Sequence, residues 1–269
     1  MALHFSVQEN LLTGKTAMDL WDAARRMGFD GVELRGTDAG EVRARLPELE
    51  AAVAQGAVFS SFCVISDLFI GSWDAGRRAA ATDLMTAIID VSGAIGANGA
   101  VTPASFGMHS NFLPPFTPQR DNAGDREVLA EGLSYLGDKA KAAGTTVLLE
   151  PLNRYEDHMV NTLAQGVDLL KHIDHGSVKL MADLFHMNIE EADSAAAIDA
   201  AMPYVAHVHL ADSNRLEPGN GHTDFAAPFA VLNKHGFTGA CAIECFLSGS
   251  QDQTIAAALS HLKSAEKGT

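Results

Sequence analysis

Cysteine is scarce in this chain, with three residues among 269. Two of them, Cys241 and Cys245, lie on one predicted strand, where they are poorly placed to build a framework of disulfide bonds. Small secreted scaffolds depend on such frameworks, so their absence favours a reducing compartment and a hydrophobic core. We therefore expect a cytoplasmic protein in which Cys63, Cys241 and Cys245 are small core residues.

Positive charge and long apolar runs are also scarce. The chain has 19 Lys and Arg residues and 34 Asp and Glu residues, which gives a formal net charge of −15. Nucleic-acid binding needs clustered cations that meet the phosphates, so no nucleic acid partner is expected. No run of residues approaches the ~20 apolar residues that cross a bilayer, and the first residues lack a basic region, so no membrane partner is expected either.

The sequence is rich in short apolar strands that alternate with helical patterns. The predicted strands occur at residues 3–7, 30–35, 58–65, 99–102, 145–152, 178–184, 205–211 and 239–246. Such alternation implies parallel strands joined by right-handed crossovers. Eight strand–helix units in roughly 250 residues are typical of a (β/α)8 TIM barrel. We predict an α/β fold with one TIM-barrel domain over residues 1–269.

Four of the later strands end in a side chain that can bind a metal ion. Glu150, Asp183, His209 and Glu244 are 33, 26 and 35 residues apart, about one strand–helix unit each time. The carboxyl ends of strands five to eight are neighbours in a barrel, and barrel enzymes carry their chemistry there. Alone, each residue is more often structural, as a helix cap or part of an ion pair. Together they predict one site for Mn²⁺, Mg²⁺ or Co²⁺, and the lack of a thiolate argues against structural zinc.

Further polar residues lie in the same loops. His186 comes just after the sixth predicted strand, and Glu156 and Arg215 each lie six residues beyond a candidate ligand. By themselves Glu156 and Arg215 would be ordinary surface residues. Their position beside candidate ligands makes them candidates for substrate contacts.

These segments resemble those of the xylose isomerase-like TIM barrels, and among them of the ketose 3-epimerases of the D-tagatose/D-psicose type. The resemblance covers roughly residues 145–250 and rests on Glu150-Pro-Leu-Asn-Arg-Tyr-Glu156, Asp183-Leu-Phe-His186, His207-Val-His209, Pro218-Gly-Asn-Gly221 and Ile243-Glu244-Cys-Phe246. In the first half of the chain, the one segment that resembles the family is Gly28-Phe-Asp-Gly-Val-Glu33. Cys245 departs from the proline that epimerases often carry at that position.

The resemblance implies a role for each candidate residue. One divalent ion, Mn²⁺ or else Mg²⁺ or Co²⁺, would be bound by Glu150, Asp183, His209 and Glu244. Around C1 and C2 of a keto sugar, the oxygens would be held by Glu156, His186 and Arg215, and Phe246 would pack against the carbon chain. The first half of the chain offers no matching residues for the far end of the substrate. The family also implies a homo-oligomer, a dimer or a tetramer.

We predict a metal-dependent ketose 3-epimerase that inverts C3 of a free keto sugar. Chelation of the carbonyl oxygen and the adjacent hydroxyl by one cation would stabilise the enediolate that forms when C3 loses its proton. Glu150 and Glu244 lie on well-separated strands and would be the catalytic acid and base. One would take the C3 proton, and the other would return a proton to the opposite face.

Three other activities share parts of this site. One is a related keto-inositol or keto-acid epimerase or dehydratase. An aldose–ketose or hydroxypyruvate-type isomerase would use the same enediolate and move the proton between C1 and C2, and the sequence does not separate it from an epimerase. A metal-dependent abasic-site endonuclease would share the barrel. It needs a histidine at the end of strand three, which residues 60–66 lack, and the net charge of −15 opposes DNA binding.

Residues outside this candidate site are expected to be structural. His207 should fill the barrel interior below His209 as a hydrogen-bonded core residue. The histidines expected at the surface are His158, His172, His175 and His235. Residues 105–119 contain three prolines and are predicted to form a loop over the strand ends, a candidate lid.

Overall fold

Eight parallel strands form a closed barrel in the computed structural model, which describes residues 2–107 and 118–268. The strands are β1 (His4–Gln8), β2 (Gly31–Gly36), β3 (Phe59–Val64), β4 (Ala100–Pro103), β5 (Val147–Glu150), β6 (Val178–Asp183), β7 (Val205–Leu210) and β8 (Ala240–Ile243). They pair in sequence order, and β1 pairs with β8 to close the ring. The predicted TIM barrel is confirmed, and the domain bounds of 1–269 stay a prediction.

Helices connect the strands around the outside of the barrel. Those in the described residues are α1 (Ala17–Met27), α2 (Ala39–Ala54), α3 (Ala75–Ala94), α4 (Asn122–Ala143), α5 (Leu163–Ile173), α6 (Leu184–Glu190), α7 (Ser194–Ala201), α8 (Ala226–Lys234) and α9 (Gln251–Lys267). Local sequence signals set several of their ends. Thr16 and Asp19 form a capping box at the start of α1, and Gly28 ends that helix with a φ of 92°, a left-handed conformation that glycine adopts without strain.

Alternation along the strands sends every second side chain into the barrel. Leu148 and Met181 pack there with Cys63 and Val101 in one apolar cluster. Another part of the interior is polar, and His207 is completely buried in it. The predicted interior position of His207 is therefore confirmed.

The connection between β6 and β7 contains a helix that the sequence pattern did not predict. Asp183, the last residue of β6, accepts a hydrogen bond from the backbone N–H of Phe185 at 2.7 Å and so caps α6. With seven residues, α6 spans only two turns, and such a short segment gives no clear helical periodicity. The helix matters because it carries His186.

Three further predictions concern the cysteines, the lid and membrane-spanning segments. All three cysteines are free and buried, as expected. Most of the predicted lid at 105–119 lies outside the described residues. Within the part of the chain that the structure covers, no helix combines the length and the apolar character needed to cross a membrane.

Candidate metal centre and active site

The four predicted ligands meet at the carboxyl ends of β5 to β8. Glu150 and Asp183 are the last residues of their strands, His209 is the last but one residue of β7, and Glu244 directly follows β8. Each offers one nitrogen or oxygen atom, and these four atoms all lie within 4.8 Å of one another. Their shared position in four successive strand–helix units is what brings them together.

The imidazole of His209 lies at the centre of this group. Its Nδ1 atom is 3.0 Å from Glu244 Oε2, 3.7 Å from Glu150 Oε1 and 4.0 Å from Asp183 Oδ2. Glu150 Oε1 is buried and has no hydrogen-bond partner among the described residues, which leaves it available to a ligand. Three carboxylates and one imidazole nitrogen suit a divalent ion of the Mn²⁺ or Mg²⁺ type, so the residues fit the metal that the resemblance implies.

A fifth charged residue, Glu33 on β2, contacts His209 from the side away from the carboxylates. Glu33 Oε1 lies 2.9 Å from His209 Nε2, and Glu33 Oε2 lies 2.9 Å from His207 Nε2. Gln8 and Ser61 donate hydrogen bonds to the same carboxylate at 3.0 Å and 2.6 Å. Because Nε2 of His209 faces Glu33, its Nδ1 is left to face an ion. Carboxylate partners of this kind orient metal-binding histidines.

Burial and charge act in opposite directions on the pKa values of this cluster. Burial raises the pKa of Glu33, but His209 and His207 outweigh burial and hold that pKa well below its ordinary range. Burial lowers the pKa of His209, while Glu33 and Glu244 raise it well above its usual value. Burial raises the pKa of Glu150 to about 7.

Arg215 links two of the candidate ligands. Its Nη1 atom donates to Asp183 Oδ2, and its Nη2 atom donates to Glu244 Oε2 at 2.5 Å. Its guanidinium also stacks on Phe185, 4.8 Å from the ring centroid. Burial raises the pKa of Glu244, but Arg215 and His209 outweigh it and hold that pKa well below the ordinary value.

The backbone of Arg215 is held in an unusual conformation. Its φ is 62°, a left-handed value that costs a non-glycine residue roughly 1–3 kcal/mol. The backbone N–H of Phe246 donates to the Arg215 carbonyl at 2.8 Å, which ties the loop after β7 to the segment after β8. Such backbone outliers are concentrated at functional sites, where the surroundings hold them in place.

His186 lies on α6 with its ring between Asn153 and the candidate ligands. Its Nδ1 atom accepts a hydrogen bond from the backbone N–H of Asn153 at 3.2 Å, so Nε2 carries the proton of the neutral ring. Nε2 lies 3.6 Å from Asp183 Oδ2 and 3.8 Å from Glu150 Oε1. Burial lowers the pKa of His186 to about 4, which keeps the ring neutral. Glu156 Oε2 lies 3.8 Å from Nδ1 of His186, and burial raises the pKa of Glu156.

A cavity of about 370 Å³ opens beside these residues at the mouth of the barrel. Its lining residues are Gln8, Asn10, Arg35, Cys63, Val64, Ile65, Ser66, Phe69, Pro103, Phe106, Glu150, Leu152, Glu156, His186, Arg215, Glu244, Cys245 and Phe246. Thus all four residues predicted to bind substrate line the cavity, with Phe246 71% exposed at its rim. Of the four candidate ligands, Glu150 and Glu244 line it and Asp183 and His209 do not.

The prediction for His158 was wrong, because this histidine is buried and not at the surface. Its Nε2 atom lies 3.2 Å from Asp125 Oδ2. Its ring centroid lies 5.8 Å from that of Trp73. A single histidine in a loop gives no periodic signal of burial, so the sequence pattern offered no means of detecting these partners.

Residues 21–265 match the family described as xylose isomerase-like TIM barrel. The chain belongs to this family. Proteins similar to this chain include sugar epimerases. The 3-dehydro-D-guloside 4-epimerase of Escherichia coli strain K12 is 37% identical over 216 residues, which are 80% of this chain and 81% of that protein. The L-ribulose 3-epimerase of Mesorhizobium japonicum is 30% identical over 236 residues, 86% of this chain and 76% of that protein.

A solved structure is similar to nearly the whole chain. The crystal structure of 3-keto-D-glucoside 4-epimerase from E. coli superposes with a TM-score of 0.92 at 32% sequence identity. The superposition covers 98% of this chain and 100% of that one. The resemblance to keto-sugar epimerases of this family, first seen in residues 145–250, is confirmed and extends into the first half of the barrel.

Proposed function

We propose that the protein is an epimerase that inverts a hydroxyl-bearing carbon next to the ketone of a sugar, with a divalent metal ion as cofactor. One observation carries this proposal: of the four candidate ligands, Glu150 and Glu244 line the cavity and Asp183 and His209 do not. Carboxylates on β5 and β8 reach a bound molecule from different sides. One can remove a proton and the other can return one to the opposite face.

The neighbouring side chains are suited to the charge that this proton transfer creates. Removal of a proton beside a ketone places negative charge on the ketone oxygen. His186 presents a neutral Nε2–H, and Arg215 presents a guanidinium, in the wall of the same cavity. Both donors would stabilise that oxygen in a site with little water. Glu156 would orient a neighbouring hydroxyl, and Phe246 would pack against the carbon chain.

The metal-binding set would be Glu150, Asp183, His209 and Glu244. A divalent ion held there would supply electrostatic stabilisation of the charge on two adjacent substrate oxygens. We expect Mn²⁺, with Mg²⁺ or Co²⁺ as alternatives, because carboxylate-rich sites with one imidazole suit these ions. Glu33 would keep Nδ1 of His209 directed toward the ion.

Two classes of keto sugar contain a hydroxyl-bearing carbon next to the ketone. In a free 2-ketose the reacting carbon is C3, the reaction predicted from the sequence and named in the M. japonicum relative. In a 3-keto glycoside the reacting carbon is C4, the reaction named in the E. coli relative. The chemistry is the same in both, a proton transfer beside a ketone. The E. coli 4-epimerase is 37% identical to this chain and the M. japonicum 3-epimerase is 30% identical, and this higher identity favours assaying the 3-keto glycosides first.

An NMR assay of the metal-loaded protein tests this proposal. The panel holds D-fructose, D-tagatose, L-ribulose and methyl 3-keto-glucoside, each incubated with Mn²⁺, Mg²⁺ or Co²⁺. We expect a C3 epimer from a 2-ketose or a C4 epimer from the 3-keto glycoside. Formation of an aldose from a 2-ketose would identify an isomerase instead, and no conversion of any member with any ion would contradict the proposal. The homo-oligomer and the cytoplasmic location stay predictions.

A further inference from the structure

We propose that Arg35 binds an anionic group of the substrate, a carboxylate or a phosphate, at the end of the keto sugar away from the reacting carbon. This inference rests on the proposed epimerase function and names a substrate class for the same site. Arg35 lies on β2 and lines the cavity. In the ring of eight strands, β2 lies opposite β6, which ends in Asp183. A molecule that reacts beside the candidate ligands therefore extends across the barrel mouth toward Arg35.

The backbone of Arg35 is held firmly in this place. Its N–H donates to Glu9 Oε1 at 2.6 Å, and its carbonyl accepts a hydrogen bond from Arg45 Nη1 at 3.3 Å. Arg45 also donates to both carboxylate oxygens of Glu9, at 2.9 Å and 2.6 Å. The carboxylate next to Arg35 is therefore already paired with Arg45.

The guanidinium of Arg35 has no partner within residues 2–107 and 118–268. It forms no hydrogen bond, ion pair or ring contact there, and its Nε atom is buried. Residues 108–117, which the structure does not describe, contain neither Asp nor Glu. Buried donors nearly always have acceptors in folded proteins, because an unpaired one destabilises the fold. We infer that the missing acceptor comes from a bound molecule.

Other arginines with partly buried side chains differ from Arg35 in this respect. Arg78 donates to the carbonyl oxygens of Ser72 and Trp73. Those paired with carboxylates of the protein are Arg45, Arg120, Arg126, Arg154 and Arg215. Among the partly buried arginines of residues 2–107 and 118–268, Arg35 is therefore the one whose guanidinium has no partner in the protein.

The chemistry of the cavity favours an anion at this end. A guanidinium forms a planar fork that matches the oxygens of a carboxylate or a phosphate. Glu150, Glu156 and Glu244 line the cavity on the side of the candidate metal centre, where they would repel an anionic substituent. A substrate with an anionic substituent therefore binds in one orientation. Its charged end lies toward Arg35, and its ketone lies beside the glutamates.

Turnover of matched substrates tests this inference. D-Fructose, D-fructuronate and D-fructose 6-phosphate share one keto end and differ at the far end, which is neutral, a carboxylate or a phosphate. We expect kcat/KM for one anionic member to exceed that for D-fructose by about 10- to 100-fold. Arg35→Gln should bring this ratio near one, and Arg35→Lys should retain part of it. Arg26→Gln removes an exposed charge outside the cavity and should leave the ratio unchanged.

Binding of molecules that cannot react separates this inference from the epimerase proposal. Calorimetry on the metal-loaded protein compares methyl glucuronide with methyl glucoside, and D-glucitol 6-phosphate with D-glucitol. One anionic member should bind about 10-fold or more tightly than its neutral partner, and Arg35→Gln should abolish the difference. The inference is wrong if neither anion is preferred, or if the preference survives in Arg35→Gln, even when a neutral keto sugar is epimerised. A preference that depends on Arg35 without any epimerisation would instead remove the epimerase proposal alone.

Discussion

Replacement of Glu33 by glutamine tests how the candidate metal site is held together. Each oxygen of Glu33 lies within 3.0 Å of two nitrogen or hydroxyl groups, with His209 and Gln8 at Oε1 and His207 and Ser61 at Oε2. Glutamine has the same shape but carries an amide NH₂ in place of one oxygen. That NH₂ group would face two donors, so at least one imidazole must turn or move its proton to Nδ1.

The size of the effect follows from these contacts. If His209 moves its proton to Nδ1, it loses the lone pair that faces the candidate carboxylates. Loss of such an outer partner weakens metal binding about 10- to 100-fold. A buried donor left without an acceptor lowers the free energy of unfolding by about 1–3 kcal/mol. We therefore expect the Glu33→Gln protein to fold with a lower melting temperature and to bind Mn²⁺ more weakly.

The assay is calorimetric titration of Mn²⁺ into the metal-free wild-type, Glu33→Gln and Ser61→Ala proteins. Ser61→Ala is the matched control, because it removes one hydrogen bond to the same carboxylate and leaves both imidazole contacts in place. We expect its Mn²⁺ affinity to change by less than about threefold. Circular dichroism establishes that each variant is folded. A folded Glu33→Gln protein with wild-type affinity for Mn²⁺ would refute the idea that Glu33 positions His209.

Three further predictions concern stability, the arginine link and the cofactor. A Cβ at Gly239 would lie 2.1 Å from the Ala206 carbonyl oxygen, so Gly239→Ala should cost roughly 1–3 kcal/mol of unfolding free energy in urea. In contrast, a Cβ at Gly176 has no atom within 4 Å, so Gly176→Ala should change the unfolding free energy by less than about 0.5 kcal/mol. Equal losses of stability in the two variants would contradict the close packing at Gly239. Arg215→Lys keeps the positive charge but loses the forked guanidinium that joins Asp183 and Glu244, so kcat should fall about 100-fold. A wild-type kcat in steady-state kinetics would contradict this role of Arg215. Mn²⁺ at 100 times its Kd should stabilise the metal-free protein by about 2.7 kcal/mol, whereas an unchanged melting temperature in thermal-shift measurements would argue against the metal centre.

The fold and the candidate ligand cluster could be predicted from the sequence because both depend on repeated spacing. A (β/α)8 barrel repeats one unit around a ring, so equivalent positions in successive units lie side by side. Glu150, Asp183, His209 and Glu244 occupy that equivalent position, at or next to the end of a strand. Their proximity follows from chain order alone.

The parts that escaped prediction depend on contacts between distant residues. Glu33 alternates with apolar residues on β2, and an isolated acid in such a pattern does not reveal that two histidines of β7 lie opposite it. His158 is buried beside Asp125 of α4, a neighbour far away in the sequence. The short helix α6 depends on the cap that Asp183 provides at the strand end. The sequence also does not show that Glu9 is paired with Arg45. Without that contact, the lack of a partner for Arg35 could not be predicted.

Deuterium incorporation tests proton transfer by Glu150 and Glu244 most directly. The wild-type, Glu150→Gln and Glu244→Gln proteins are incubated in D₂O with each of the two epimers, after their metal content has been measured. We expect the wild type to place one deuterium on the inverted carbon. Each variant with bound metal should form the epimer at least about 100-fold more slowly and should exchange the proton of one epimer only, with the two variants differing in which one. Epimer formed without solvent deuterium, or wild-type turnover in both metal-loaded variants, would show that Glu150 and Glu244 do not transfer the proton.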